Sequence, residues 1–266
     1  MKNVVYTSII GGYDILRQPG AVDAGWDYVC FCDAPVTCDD GHIALPGERY
    51  GVWQLRAVPE GIKDRINRSR YARMYPHSLL AEYEWCVYHD GNVQIADKDF
   101  YDIVKKHIEA GDKICHVPHL WRDCIYDEIV ECYVTGHIGF LKARSIRHRL
   151  IKDGFPAHNG LYETNLILRK HTDPEVIAAD EMWWKLFSSG QKRDQLSINY
   201  VYWKLGLKPK LLFEEGVNAR NCNHINYYHH PSRPQVQTWF KRKWDGTLKA
   251  IDTAVRQHLQ KYLQYK

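Results

Sequence analysis

Short apolar runs separated by helical stretches constrain this chain most. Residues 4–10, 28–32, 85–88 and 114–117 are almost continuously apolar. Runs of that length and kind predict strands covered on both faces. Helical patterns stand between and after them, over 63–75, 100–110, 124–135, 139–153, 174–188 and from Asp194 to Gly206. Further strands are predicted over 163–169 and 210–213, and the Pro- and Gly-rich stretch 34–60 reads mostly as loop. Strands alternating with helices predict an α/β domain with a mostly parallel central sheet flanked by helices.

The 266 residues fit one large domain, or one domain with an extension, and 45% hydrophobic residues suffice for a full core. A net charge of +4 is mild and does not point to nucleic acid. The eight cysteines form no C-x-x-C pair and several sit inside apolar runs. They read as reduced thiols of a cytosolic chain, not as a disulfide frame or zinc site. The N-terminal apolar run is too short for a signal peptide, and no segment approaches a membrane span.

The chemistry concentrates in residues 70–95. The apolar strand Trp85-Cys86-Val87-Tyr88 runs into His89-Asp90-Gly91-Asn92. Asp90 and Asn92 are two apart, so an extended backbone points both the same way, and Gly91 lets a ligand approach the main chain. Oxygen donors so placed suit a divalent cation and the diphosphate of a nucleotide. The same residues also suit a plain turn. Ahead of them, Arg70 and Arg73 share one face of a helix that ends at Pro76. Arginines beside such a turn favour phosphate chemistry.

The last segment is different in kind. Phe240, Trp244, Leu248, Ile251, Val255, Leu259 and Tyr262 or Leu263 recur at helical spacing, and residues 241–266 hold seven Lys or Arg against two Asp. A basic amphipathic helix suits an anionic membrane surface. It suits packing against the domain equally well. The expected organisation is a domain over 1–236 followed by this helix over 237–266.

Several blocks together resemble the nucleotide-sugar-dependent glycosyltransferases of GT-A fold. They are YTSIIGGYD (6–14), YVCFCD (28–33), the 70–95 block, HLWRDCIYDEI (119–129), GLYETNLILRKH (160–171) and RDQLSINYVYWKLG (193–206). They are most similar to a glycosyltransferase-like family first catalogued as a domain of unknown function, with plant seed-mucilage and bacterial polysaccharide-locus members. The 70–95 block also resembles family 8 retaining glycosyltransferases, where an S-Y-x-R helix precedes a strand ending D-x-D. Here Asn92 stands where an aspartate is usual, which leaves the site one charge short.

The resemblance implies a single GT-A-like α/β domain that transfers a sugar from a nucleoside diphosphate sugar, UDP-sugar favoured, to a glycan or lipid-linked glycan. It implies a donor pocket of Thr7, Ile9, Gly11, Gly12 and Tyr13, with Asp33 at base or ribose and Lys63, Arg70, Arg73 and Asp90 at the phosphates and sugar. Mn²⁺ or Mg²⁺ would rest on Asp90 and Asn92 with His230 or His229, and His224 as third choice. Asp194 is the expected catalytic or donor-orienting acid and Glu163 its competitor. His119, Arg122 and Asp123 would border the acceptor. The expected location is cytoplasmic, with peripheral contact at the inner membrane face through residues 239–266. The competing readings are a non-catalytic nucleotide-sugar or glycan-binding domain and another metal-dependent nucleotide-sugar enzyme.

Overall fold

A computed structural model describes residues 2–191, 193–231 and 253–263. The strands are Lys2–Ile9 (β1), Trp26–Cys32 (β2), Val36–Thr37 (β3), Ile43–Ala44 (β4), Arg49–Tyr50 (β5), Trp53–Ala57 (β6), Tyr83–His89 (β7), Val93–Ile95 (β8), Ile114–Pro118 (β9), Tyr162–Arg169 (β10), Lys210–Leu211 (β11) and Ile225–Tyr227 (β12). The helices are Arg65–Met74 (α1), Pro76–Leu79 (α2), Asp99–Ala110 (α3), Ile125–Val134 (α4), Phe140–Asp153 (α5), Pro174–Leu186 (α6) and Gln195–Leu205 (α7).

Eight strands form one sheet in the order β11-β9-β10-β7-β1-β2-β6-β5. Strands β6, β2, β1 and β7 run parallel, and β10 lies antiparallel between β7 and β9. This is the α/β, mostly parallel sheet expected from the sequence. One correction concerns residues 34–60. They hold β6, a full member of the sheet, because Trp53 and Leu55 alternate inward and are buried. The flanking Pro and Gly residues obscured that alternation. The short pair β8 and β12 was also missed; it ties the chain after β7 to residues 225–227.

Each face of the sheet has its own core. One holds Val5, Cys30, Trp53 and Val87 against Phe100 and Val104 of α3. The other holds Tyr6, Phe31 and Tyr88 against Ala72 and Met74 of α1, Trp183 of α6 and Val201 of α7. All eight cysteines are buried and unpaired, so they act as small core residues. No helix among the described residues is long and apolar enough to cross a membrane.

Beneath the second core, Arg169 on β10 is fully buried. It donates to Asp180 of α6 at 2.6 Å, to the Tyr6 hydroxyl at 2.8 Å and to the Arg73 carbonyl at 2.6 Å. This cluster fixes the end of α1 to the sheet. Burial pushes the Asp180 carboxyl up to about 6, against the pull of Arg169.

A third cluster gathers Ile129 and Tyr133 of α4, Ile146 and Leu150 of α5, and Leu263. Residues 253–260 are helical, and Arg256 donates to the Tyr133 and Ile138 carbonyls at 2.8 and 3.2 Å. The predicted apolar stripe is therefore divided. Leu259 and Leu263 pack on the domain, while Val255 and Tyr262 are exposed. Phe240, Trp244, Leu248 and Ile251 lie outside the described residues.

Candidate active site

Three parallel strands deliver acids to one edge of the sheet. Asp14 lies in the loop after β1, Asp33 directly follows β2, and Asp90 directly follows β7. Beyond the carboxyl ends of parallel strands is where open α/β sheets place ligands. There a cleft of about 610 Å³ is lined by Ser8, Ile10, Tyr13, Asp14, Arg65, Arg70, Tyr88, Asp90, Gly91, Arg193 and His230, among others. It meets a recess of about 140 Å³ lined by Arg73, Asn92, Glu163, Thr164, Asn165, Asp194 and Arg220, sharing Arg70, Asp90, Arg193 and His230.

The floor is built around Arg73, which is 2% exposed. Helix α1 starts on Asp64, whose side chain accepts from the Asn67 amide at 2.8 Å, and stops before Pro76. Its buried end carries Arg73 into the sheet edge. The guanidinium donates to Asp90 and to Asp194, to Thr164 Oγ1 at 2.9 Å and to the Tyr88 hydroxyl at 3.0 Å. Tyr88 in turn donates to Asp90 at 2.7 Å. Burial works against the Arg73 charge, yet Asp90, Tyr88 and Asp194 hold it firmly cationic.

Asp194 caps α7, accepting from the Gln195 amide at 3.2 Å, and also takes Thr164 Oγ1 at 3.0 Å and Arg70 Nε at 3.1 Å. Burial would raise its carboxyl, but Arg70, Arg73 and Arg193 override that and hold it well below the usual carboxylate range. So held, it is a fixed negative charge and a poor proton acceptor. Glu163 is buried too. It pairs with Arg220 and accepts from Asn165 Nδ2 at 2.7 Å.

At the rim, the His230 ring meets Asp14 at 2.6 Å and packs on Tyr13 with centroids 4.7 Å apart. Burial raises the Asp14 carboxyl, opposed by His230. Gly91 is required here by close approach. A Cβ on it would stand 2.9 Å from Asp14 Cβ and 3.1 Å from Ile9 Cγ1. Gly11, at φ +62°, leaves room for the Arg65 guanidinium, which a Cβ would meet at 2.5 Å. The Gly11 amide donates to Asp33 Oδ1 at 2.7 Å, and Arg68 meets the other oxygen at 3.3 Å.

The structure thus gathers Tyr13, Arg70, Arg73, Asp90, Asn92, Glu163, Asp194 and His230 at one cleft. Others fall elsewhere. Thr7 and Ile9 are buried, and the period of a strand gives the cleft their neighbours Ser8 and Ile10 instead. Gly12, also at positive φ, shapes the turn after Gly11. Lys63 and His229 are exposed and line neither cavity. His224 is held by Asp97 at 2.9 Å. Asn92 is buried and its Nδ2 donates to the Tyr228 carbonyl at 2.9 Å, so only its oxygen can ligate. Asp123 meets His158 on the surface, and Arg122 pairs with Glu128 and Glu131. His119 accepts from the Trp121 and Arg122 amides, and burial pushes its ring down to about 4.

Asp14, Arg65, Arg193, Tyr88 and Arg220 were not singled out from the sequence for this cleft. Arg65 lies on the basic face of α1 and Arg193 beside Asp194, which are usable signals. Arg220, in a loop far along the chain, carries none. Among the described residues, two triads bring His, Cys or Asp ligand atoms within 4.8 Å, His107-Asp112-Cys115 and Asp97-Asp99-His224. Neither includes a residue lining the cleft.

Fold and cleft together define an α/β domain with a ligand cleft beyond the carboxyl ends of its parallel strands. The chain belongs to the TOD1/MUCI70 glycosyltransferase-like domain family, whose model matches residues 1–230. No curated protein matches the sequence. The apo crystal structure of mouse xyloside xylosyltransferase 1 is similar at 8% identity over 77% of this chain and 82% of that one. Its TM-score of 0.40 is too low to bear on function.

Proposed function

We propose that the cleft binds a nucleoside diphosphate sugar, UDP-sugar favoured, and transfers its sugar to a glycan or lipid-linked glycan hydroxyl. The observation that carries this reading is the Arg73 bridge. It fixes Asp90 and Asp194 at the floor of a cleft whose walls carry Arg65, Arg70 and Arg193. Arginines held by packing suit a diphosphate, whose charge grows as the sugar leaves. In the transfer, the acceptor oxygen bonds to the anomeric carbon as the bond to the diphosphate breaks and its electron pair stays with the phosphate. The acceptor proton passes to the departing diphosphate oxygen, which has gained the electron pair. Asp194, ionised and pinned, orients Arg70 and Arg73 and does not take that proton.

The cleft also carries donors of the kind Mn²⁺ or Mg²⁺ takes, although Asp14, Asp90 and His230 are not among the triads whose ligand atoms lie within 4.8 Å of one another. Two carboxylates, Asp14 and Asp90, and the His230 imidazole line one cleft, with the Asn92 oxygen nearby in the shared recess. When bound, such an ion neutralises the leaving diphosphate. A nucleotide-sugar-binding domain without turnover is the second reading. What favours it is that Asp90 is already engaged by Arg73 and Tyr88. Calorimetry of UDP with and without Mn²⁺, followed by a screen for hydrolysis across nucleotide sugars, separates the two. Binding without hydrolysis or transfer supports the second, and no nucleotide binding at all removes both.

A further inference from the structure

Trp121 stands on the loop between β9 and α4 with 69% of its surface exposed. Its indole is nevertheless held in place. The Arg220 guanidinium lies 5.6 Å from the Trp121 ring centroid and 4.8 Å from that of Tyr227. Arg220 also pairs with the buried Glu163, which accepts from Asn165 Nδ2 at 2.7 Å. One atom in this group is left over. Asn165 is 8% exposed, lines the recess beside Asp194, and its Oδ1 is buried with no hydrogen-bond partner. A buried acceptor without a donor is costly, so native structures seldom keep one unless something else supplies the donor.

We propose that Trp121, Arg220, Glu163 and Asn165 form the acceptor subsite, and that its occupant is an uncharged sugar residue of a glycan. This rests on the glycosyltransferase reading above. A sugar ring has an apolar C–H face and a rim of hydroxyls. The exposed indole offers a flat apolar platform for the first. Asn165 Oδ1 offers an acceptor, and the Glu163–Arg220 pair offers both acceptors and donors, for the second. The charges of that pair cancel, so this end of the site does not select an anion. Arg65 lines the other cavity alone, where the diphosphate belongs, while Arg70 and Arg193 stand at the border shared by the two and Arg70 is paired with Asp194. Glu163 and Asn165 share the recess with Asp90 and Asp194, which sets a bound sugar next to the donor end.

The test uses saturation-transfer NMR on the full chain with saturating UDP and a panel of methyl glycosides of xylose, glucose, galactose and mannose as probes. At least one glycoside is expected to bind through its ring C–H protons. Trp121→Ala should weaken that binding about tenfold, and Trp121→Phe should stay within about threefold of the parent. UDP affinity by calorimetry should not move in either variant, since Trp121 lines neither donor cavity. No signal from any glycoside, or a signal indifferent to Trp121→Ala, overturns the subsite. Failure of UDP to bind the parent chain instead overturns the donor reading, and the glycoside arm still decides the subsite by itself.

Discussion

The Arg73 guanidinium donates to the Asp194 carboxylate across 121 residues of chain, and both groups are almost completely buried. Helix α1 and the start of α7 are thereby locked at the point where β7 delivers Asp90. Removing one partner of a buried pair strands the other, which typically costs about 3–5 kcal/mol. Arg73→Ala should therefore lower stability by about that amount in urea denaturation and also weaken UDP binding. A loss under about 1 kcal/mol would show that the bridge is not what organises the floor.

Asp194→Asn keeps the shape of the side chain and removes its charge. Because Asp194 acts here as a fixed charge, turnover should fall while UDP affinity stays within about threefold of the parent. Glu163→Gln measured in parallel decides the roles. If that variant alone loses turnover, Glu163 is the essential acid.

Metal dependence should be read from nucleotide binding. In Asp90→Asn and Asp14→Asn, Mn²⁺ should no longer strengthen UDP binding, and in His230→Ala its effect should shrink. Titration of UDP at zero and saturating Mn²⁺ gives the comparison. A parent chain that binds UDP equally well in both conditions rules out the ion.

Three buried histidines predict acid sensitivity. Burial pushes His116 down to about 3, and His119 and His171 to about 4. The unfolded chain takes up these protons near the ordinary value of about 6.5, before the folded chain does. Their contribution is therefore complete above about pH 6.5 and is lost as pH falls toward 4, at up to about 1.4 kcal/mol per pH unit for each. The urea midpoint should drop between pH 7 and pH 5. His171→Gln, which can still donate to the Leu80 carbonyl, should make that drop shallower.

Leu263 is fully buried against the α4–α5 cluster. Leu263→Ala should cost about 2–5 kcal/mol, as for other buried leucines. If stability is unchanged and binding to anionic liposomes falls instead, the segment serves a membrane surface rather than the domain.

Local pattern alone determined the strands that lead into Asp33 and Asp90, the helix ending at Pro76 and the helix capped by Asp194. Apolar runs, a proline and a capping acid act within a few residues, so their effect is written in sequence order. Tertiary structure decided which of these residues meet. Nothing local says that Arg73 bridges Asp90 and Asp194, that His230 rather than His229 reaches Asp14, or that Arg220 pairs with Glu163. Those choices follow from the sheet order, which sets the antiparallel β10 against β7 and brings residues 163–165 beside Asp90. The strand at 53–57 and the alternation that turns Ser8, not Thr7, toward the cleft were decided in the same way. Burial of one face against a neighbouring element overrides what Pro, Gly and composition suggest along a single stretch.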